Sequence, residues 1–348
     1  MTPPLPPMNN PASFPQHWTA FRLGRLGDVV LCTGVLDYFS RHFGWTFTVV
    51  VKAAFAPVFE QAPYIDKIVC PTQSELSGLH WPQFCRSLAD HEQGSMLLDL
   101  HGTTRSRVLS FFWRGPVLRY PKMSLKRRIF LLSSKRAFSA SLRCHTVPQR
   151  YYMAVNSPPP PPHELLPVIY LTEEEKAAAQ ARITALYGQG IRPVALHPFA
   201  AHPLKSWSPK RWQELAALLD SKKIAWIALG SDPLPSPFVG NKRDLCNSTS
   251  LRESCALLSC CAALISGDSG PMHLATGVGT PVVALFGPTT REWGFYPSGA
   301  RDVVCEQNLP CRPCSLHGKA ACPYAGRCLD GLLPQVIFEK HIQPLLCD

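Results

Sequence analysis

Short apolar runs that break at small-residue turns and resume as helical periodicity recur along the whole chain. Such alternation fits a sheet of buried, mostly parallel strands joined by helical crossovers, which makes the fold class α/β. Residues 262–290 show it most clearly: Ala-Ala-Leu-Ile-Ser-Gly-Asp-Ser-Gly-Pro-Met-His-Leu-Ala-Thr-Gly, then a second apolar run ending Ala-Leu-Phe-Gly-Pro-Thr. A strand there runs into a turn and a helix that begins near Ser269. The first N–H groups of a helix have no carbonyl partner, and with the helix dipole they favour a phosphate. Gly267 and Gly270 let the backbone approach closely, and Pro271 suits a first helical turn because it has no N–H to lose. The same residues also describe an ordinary turn capped by Asp268 or Ser269, so this segment alone leaves both readings open.

In the first half, strands are predicted over residues 19–23, 46–51, 67–70 and 96–100, and helices over 28–42 and 81–91. Five consecutive prolines, Pro158 to Pro162, followed by Pro167, then predict a stiff linker. A second α/β series follows. Thr172 with Glu175 forms a capping box for a helix to about residue 187, and Ser250 with Glu253 forms another for a helix to about 260. Strands are predicted at 193–197, 224–230, 263–266 and 282–286, and helices at 209–221 and 332–346. At 348 residues the chain exceeds what one core usually holds. The expected organisation is a disordered leader (1–17), a first domain (18–157), the linker (158–167) and a second domain (168–348). Both domains are expected to be Rossmann-like and doubly wound, facing each other across a cleft. The proline-rich N-terminus has no basic stretch followed by an apolar core, as a signal peptide would. No apolar run approaches the roughly 20 residues that span a bilayer. A cytoplasmic protein is expected.

The formal net charge is +11, and it is concentrated. From His101 to His163 there are twelve Lys and Arg residues and no Asp or Glu. A field of one sign implies an anionic partner: nucleic acid, acidic lipid headgroups or a polyanionic glycan. Phe111, Phe112, Trp113, Phe130, Leu131 and Leu132 interleave with the cations, which suits a surface lying at a membrane interface. A plain solvated basic face is the alternative.

The first strand leads into Arg22-Leu-Gly-Arg-Leu-Gly-Asp-Val-Val-Leu. A dinucleotide fingerprint needs G-x-G-x-x-G here. Gly24-x-x-Gly27-Asp28 does not match it, and a carboxylate in this turn would repel a pyrophosphate, which argues against NAD. Asp28 either offsets the dipole of the helix it opens or acts as a base at the carboxyl edge of the sheet. That dipole favours the charged carboxylate.

Of the fourteen cysteines, most are scattered and read as small buried apolar residues. Cys311-x2-Cys314-x7-Cys322-x5-Cys328, with Cys305 and His317 nearby, forms a cluster within residues 305–328. Its C-x-x-C start admits a structural zinc, and free thiols are the competing reading. The segment is expected to lie away from the chemistry.

Four blocks together resemble glycosyltransferase family 9. They are Arg22–Leu31, the Lys52-Ala-Ala-Phe-Ala-Pro-Val segment, the His197-Pro-Phe-Ala-Ala-His-Pro-Leu-Lys-Ser-Trp-Ser segment, and Asp268–Phe286. The resemblance implies a GT-B architecture and an inverting transfer of a heptose or related sugar. The donor would be a nucleotide sugar, ADP-heptose by the family's usage, and the acceptor an anionic, lipid-linked lipopolysaccharide core. It implies Asp28 as general base and Lys205 as phosphate ligand. Ser269, Gly270 and His273 would serve the donor phosphates, Asp232 the donor ribose, and Asp268 the turn or a donor hydroxyl. Gly27, Arg105, Lys126, Arg127 and Arg128 are assigned to the acceptor, with Asp99 and His101 beside them. His197, His202 and Trp207 are expected to be structural. No Asp-x-Asp motif is present, so no obligatory metal is expected. Peripheral contact with the cytoplasmic face of the inner membrane is implied, and nucleic acid is not. A sugar-nucleotide 2-epimerase would leave the basic run unexplained. A non-enzymatic polyanion binder would leave Asp28 and Lys205 without a role.

Overall fold

Two five-stranded, all-parallel sheets are built from strands whose side chains are largely withdrawn from water, as sheets covered on both faces require. The structure is a computed structural model that describes residues 15–133, 137–316, 322, 324 and 326–347. Residues 1–14 of the expected leader, together with Lys135, Arg136 and His317, lie outside the described residues.

By packing, the chain divides into two units. One runs to Lys122 and resumes over Val147–Tyr170; the other takes Met123–Thr146 and everything from Leu171 onward. In the first unit, β1 (His17–Phe21), β2 (Thr46–Val50), β3 (Ile65–Val69), β4 (Met96–Asp99) and β5 (Val117–Arg119) pair in the order β3-β2-β1-β4-β5. Helix α1 (Leu26–Phe43) follows β1 directly, while α2 (His80–His91) and α3 (Thr104–Phe112) pack together. Trp81, Cys85, Leu88 and Leu109 from these two helices share a core with Phe21, Val50 and Leu97 of the sheet.

The second unit begins with α4 (Ser124–Leu132) and α5 (Ser139–Arg143), whereas α6 (Val147–Tyr152) belongs to the first. Then come α7 (Glu173–Tyr187), β6 (Val194–His197), α8 (Pro209–Ser221), β7 (Trp226–Ala228), α9 (Leu251–Ser259), β8 (Ala263–Gly267), α10 (Gly270–Gly277), β9 (Val282–Phe286) and β10 (Val303–Glu306). The strand order is β10-β9-β8-β6-β7. Both expected capping boxes form: Thr172 with Glu175 opens α7, and Ser250 with Glu253 opens α9. The predicted last helix is three consecutive segments, Pro334–Ile337, Phe338–Ile342 and Gln343–Cys347, the middle one in π geometry. Its Ile337, Phe338 and Ile342 pack with Trp212, Leu215 and Leu219 of α8.

Each sheet is doubly wound around its first strand. Its neighbours lead away in opposite directions, so a switch point lies between β1 and β4 in one unit and between β6 and β8 in the other. Ligands of open α/β sheets bind at the carboxyl ends of the strands at such points.

The division of the chain differs from the expected one in two places. Residues 123–146 pack with the second unit through a cluster of Phe130, Leu142 and Trp293, so the basic run is split between units. The proline stretch is also no free spacer. Leu165 is fully buried, Val168 N–H donates to Thr33 Oγ1 at 3.0 Å, and Tyr170 O–H donates to Asp37 Oδ1 at 2.6 Å, which ties residues 165–170 to α1. Proline content sets stiffness, but apolar and polar anchors on its flank decide where the segment lies.

Candidate active site

At the first switch point, β1 ends at Phe21 and delivers Arg22 and the turn that opens α1. Arg22 N–H continues the ladder to Val50 O at 3.0 Å, and its buried guanidinium donates from Nη1 to Leu100 O at 2.6 Å. The other fork nitrogen, Nη2, lies 2.6 Å from Asp28 Oδ2. Tyr151 O–H donates to Asp28 Oδ1 at 3.2 Å, so both carboxylate oxygens are held. Burial opposes the Arg22 charge most strongly, but Asp28, together with Tyr151, Tyr120 and Cys32, more than offsets this and raises the guanidinium pKa. Burial likewise pushes the Tyr151 phenol well up, so it stays a neutral donor. Asp28 itself is 18% exposed and reaches solvent. His101 follows β4 at the same edge. Burial, then Arg22 and Lys122, lower its pKa to about 4, which leaves a neutral imidazole near two cations.

At the second switch point, Lys205 Nζ lies 2.5 Å from Asp268 Oδ2, with side chains only 15% and 10% exposed. Thr289 O–H donates to the same Oδ2 at 2.6 Å. Gly267 makes this junction possible, because a Cβ there would sit 2.8 Å from Lys205 O. Ser269 is the N-cap of α10 but makes no side-chain capping bond. Its hydroxyl is instead 3.0 Å from Ser266 Oγ and 3.3 Å from His197 Nδ1. Burial lowers the His197 pKa to about 4, so this histidine is a neutral structural partner, as expected. With Pro271 lacking an N–H, helix geometry leaves the N–H groups of Gly270 and Met272 without intrahelical carbonyls. His273 is buried within α10, and Trp207 packs against Trp212 beneath the Lys205 loop.

The other expected site residues fall elsewhere. Asp232 closes a turn after β7, accepting from Leu234 N–H at 2.9 Å while its own N–H donates to Asn247 Oδ1 at 3.0 Å. Gly27 lies in the first turn of α1 next to Asp28. Arg105 donates to Leu76 O at 3.0 Å, tying α3 to the loop before α2. Lys126, Arg127 and Arg128 are on the other unit. Lys126 donates to Ser141 Oγ at 3.1 Å, and Arg127 donates to Trp293 O at 2.9 Å while lying 5.9 Å from the rings of Trp293 and Phe295. Arg128 is exposed.

The acid-free run is therefore acid-free in sequence but not in space. Arg114 pairs with Asp90 at 2.8 Å, Arg119 with Asp99 at 2.5 Å and Arg143 with Glu292 at 2.6 Å. Phe130 and Trp113, expected at an interface, are buried. None of the fourteen cysteines is in a disulfide, and among the described residues no three His, Cys, Asp or Glu side chains converge as metal ligands. Sequence reasoning gave no role to Arg22, Tyr151, Thr289 or Arg312. Arg22 and Thr289 stood in the quoted segments without a role, whereas Tyr151 and Arg312 are set by tertiary contacts alone.

The model for glycosyltransferase family 9 (heptosyltransferase) matches residues 84–325. The chain is similar to lipooligosaccharide heptosyltransferase 2 of Campylobacter jejuni, with 33% identity over 101 residues. That match covers 28% of this chain, and it spans only 30% of the relative's length. Among solved structures, the family 9 glycosyl transferase from Veillonella parvula superposes with a TM-score of 0.72 at 18% identity, covering 96% of this chain and 98% of that one. The ADP-heptose lps heptosyltransferase II of E. coli gives 0.70 at 19% identity, covering 95% and 98%. These likenesses show a shared GT-B fold.

Proposed function

The chain belongs to glycosyltransferase family 9, and from that premise we propose that it transfers heptose from ADP-heptose to the anionic inner core of lipopolysaccharide, with inversion. The observation that carries this reading is the half-buried Lys205–Asp268 pair beside the N-terminus of α10 at a sheet switch point. A departing diphosphate needs fixed positive partners. Lys205 has two further N–H donors beyond the one facing Asp268, and the Gly270 and Met272 N–H groups add to them. On the first unit, Asp28 takes the proton of an acceptor hydroxyl while that oxygen attacks the anomeric carbon. The bond from that carbon to the β-phosphate oxygen breaks, and ADP leaves with the electron pair. Arg22 and Tyr151 orient the base, which afterwards returns its proton to water. No step is routed through a metal ion.

Calorimetry with ADP, UDP, GDP and NAD tests the donor assignment. Selective ADP binding is expected. A preference for UDP or GDP would keep sugar transfer and discard heptose, and no nucleotide binding at all would favour a polyanion binder.

Among the described residues no helix is long and apolar enough to cross a membrane. We place the enzyme at the cytoplasmic face of the inner membrane through peripheral contact. Helix α4 supports this: its buried side carries Phe130, while Leu125 and Leu132 are 69% and 86% exposed on either side of exposed Arg128. Two leucines flanking an arginine on an outward face suit an anionic headgroup layer. The protein is expected to co-sediment with phosphatidylglycerol vesicles several-fold more than with phosphatidylcholine vesicles, and Leu125→Asp with Leu132→Asp should abolish the difference. Equal retention of that doubly substituted protein would remove α4 from the contact.

A further inference from the structure

We propose that Arg312, inside the cysteine-rich segment, is a positioning residue for the donor phosphate site, acting through Thr289 on Asp268 and Lys205. The inference rests on the donor-site reading above and gives the cysteine-rich segment a role that its thiols do not.

Arg312 is 9% exposed, and its guanidinium is spent on the loop that leaves β9. Nε donates to Gly287 O at 2.5 Å, and Nη2 lies 3.0 Å from Thr289 O and 3.3 Å from Phe286 O. Nη1 donates to Gln307 O, and Glu306 Oε2, 2.5 Å from Nη2, supplies the countercharge. One planar fork thus gathers three carbonyls at the end of β9 and in the loop that follows it. A point-charge ammonium has no such fixed array of donors.

That stretch leads straight to the phosphate ligand. Thr289 is 1% exposed, and its hydroxyl donates to Asp268 Oδ2, the same oxygen that pairs with Lys205. The loop also touches the Lys205 loop directly, because a Cβ on Gly287 would lie 3.2 Å from Leu204 O and 2.7 Å from Leu329. Lys205, Asp268, Thr289 and Arg312 therefore form one continuous chain of contacts. If the fork is lost, the Phe286, Gly287 and Thr289 carbonyls lose the donors it supplies in a buried setting. Thr289 then loses its register, and Asp268 is freed to turn with Lys205.

Calorimetric ADP affinity of Arg312→Gln, Arg312→Lys, Thr289→Val and the Arg312→Gln/Thr289→Val pair tests this, at a temperature where circular dichroism shows each variant folded. Arg312→Gln is expected to weaken ADP binding about tenfold, with Arg312→Lys recovering less than half of the loss. In the Thr289→Val background, Arg312→Gln should add less than about twofold, because both act on one chain of contacts. Losses that multiply in the double variant, or full recovery by lysine, would overturn the proposal and leave Arg312 as a general brace. If Arg312→Gln does not fold, Arg312→Lys and its pairing with Thr289→Val decide the same question. Wild-type protein that binds no ADP would instead overturn the donor site itself.

Discussion

Asp28→Asn is expected to lower turnover about a thousandfold, within the range typical of a lost general base, while ADP affinity stays within about twofold. The amide matches the carboxylate in shape and still offers an oxygen to Arg22, so the geometry at the end of β1 is largely kept. What disappears is the group that accepts the hydroxyl proton as the new bond forms, and that interaction exists mainly in the transition state. The substitution also leaves the Arg22 guanidinium, with a side chain 7% exposed, without its countercharge. Breaking one side of a buried pair costs about 3–5 kcal/mol. A lowered melting temperature should therefore accompany the kinetic defect, and single-turnover rates must be read on protein shown to be folded. Turnover near wild type in folded Asp28→Asn would remove Asp28 as the base and leave it as an anchor for Arg22.

Much of this was legible because the signals are local. A strand, a small-residue turn and a helix start lie within a dozen residues at both switch points. Asp28 and the 267–270 turn are therefore readable from sequence at the edges where the structure puts them, whereas Lys205 is singled out only by the family resemblance. The capping boxes of α7 and α9 were legible for the same reason. The missing strands β5 and β10 are short and partly exposed, so they carry little apolar signal. The positioning groups were invisible because their partners are far apart in sequence. Tyr151 reaches Asp28 across 123 positions, and Arg312 reaches Thr289 across 23. The basic run misled for the converse reason, since Asp90, Asp99 and Glu292 neutralise parts of it from outside the run. Glu292 shows how firmly: burial would raise its pKa, yet Thr290 and Arg143 bring it below the usual carboxylate range.

Lys205→Ala should damage both binding and chemistry, weakening ADP about a hundredfold and lowering kcat/KM by more than about a thousandfold. Two effects add. The variant loses a cation that meets the diphosphate, and it exposes that diphosphate to Asp268, a carboxylate 10% exposed whose remaining partner at Oδ2 is Thr289. The attraction and the repulsion act over similar distances, so each is expected to account for about tenfold, well inside the bound of about 4 kcal/mol for unit charges about 4 Å apart at an effective dielectric near 20. The two are separable. Adding Asp268→Asn to Lys205→Ala removes the repulsion but restores no cation, so ADP affinity should recover about tenfold while turnover stays low. Turnover stays low because the charge that develops on departing ADP still lacks its partner. If the second substitution recovered no affinity, Asp268 would not face the phosphates. If Lys205→Ala bound ADP as wild type does, the donor would lie away from this switch point. Recovery of binding without recovery of rate would show that one lysine both holds the ground state and meets the charge of the leaving group.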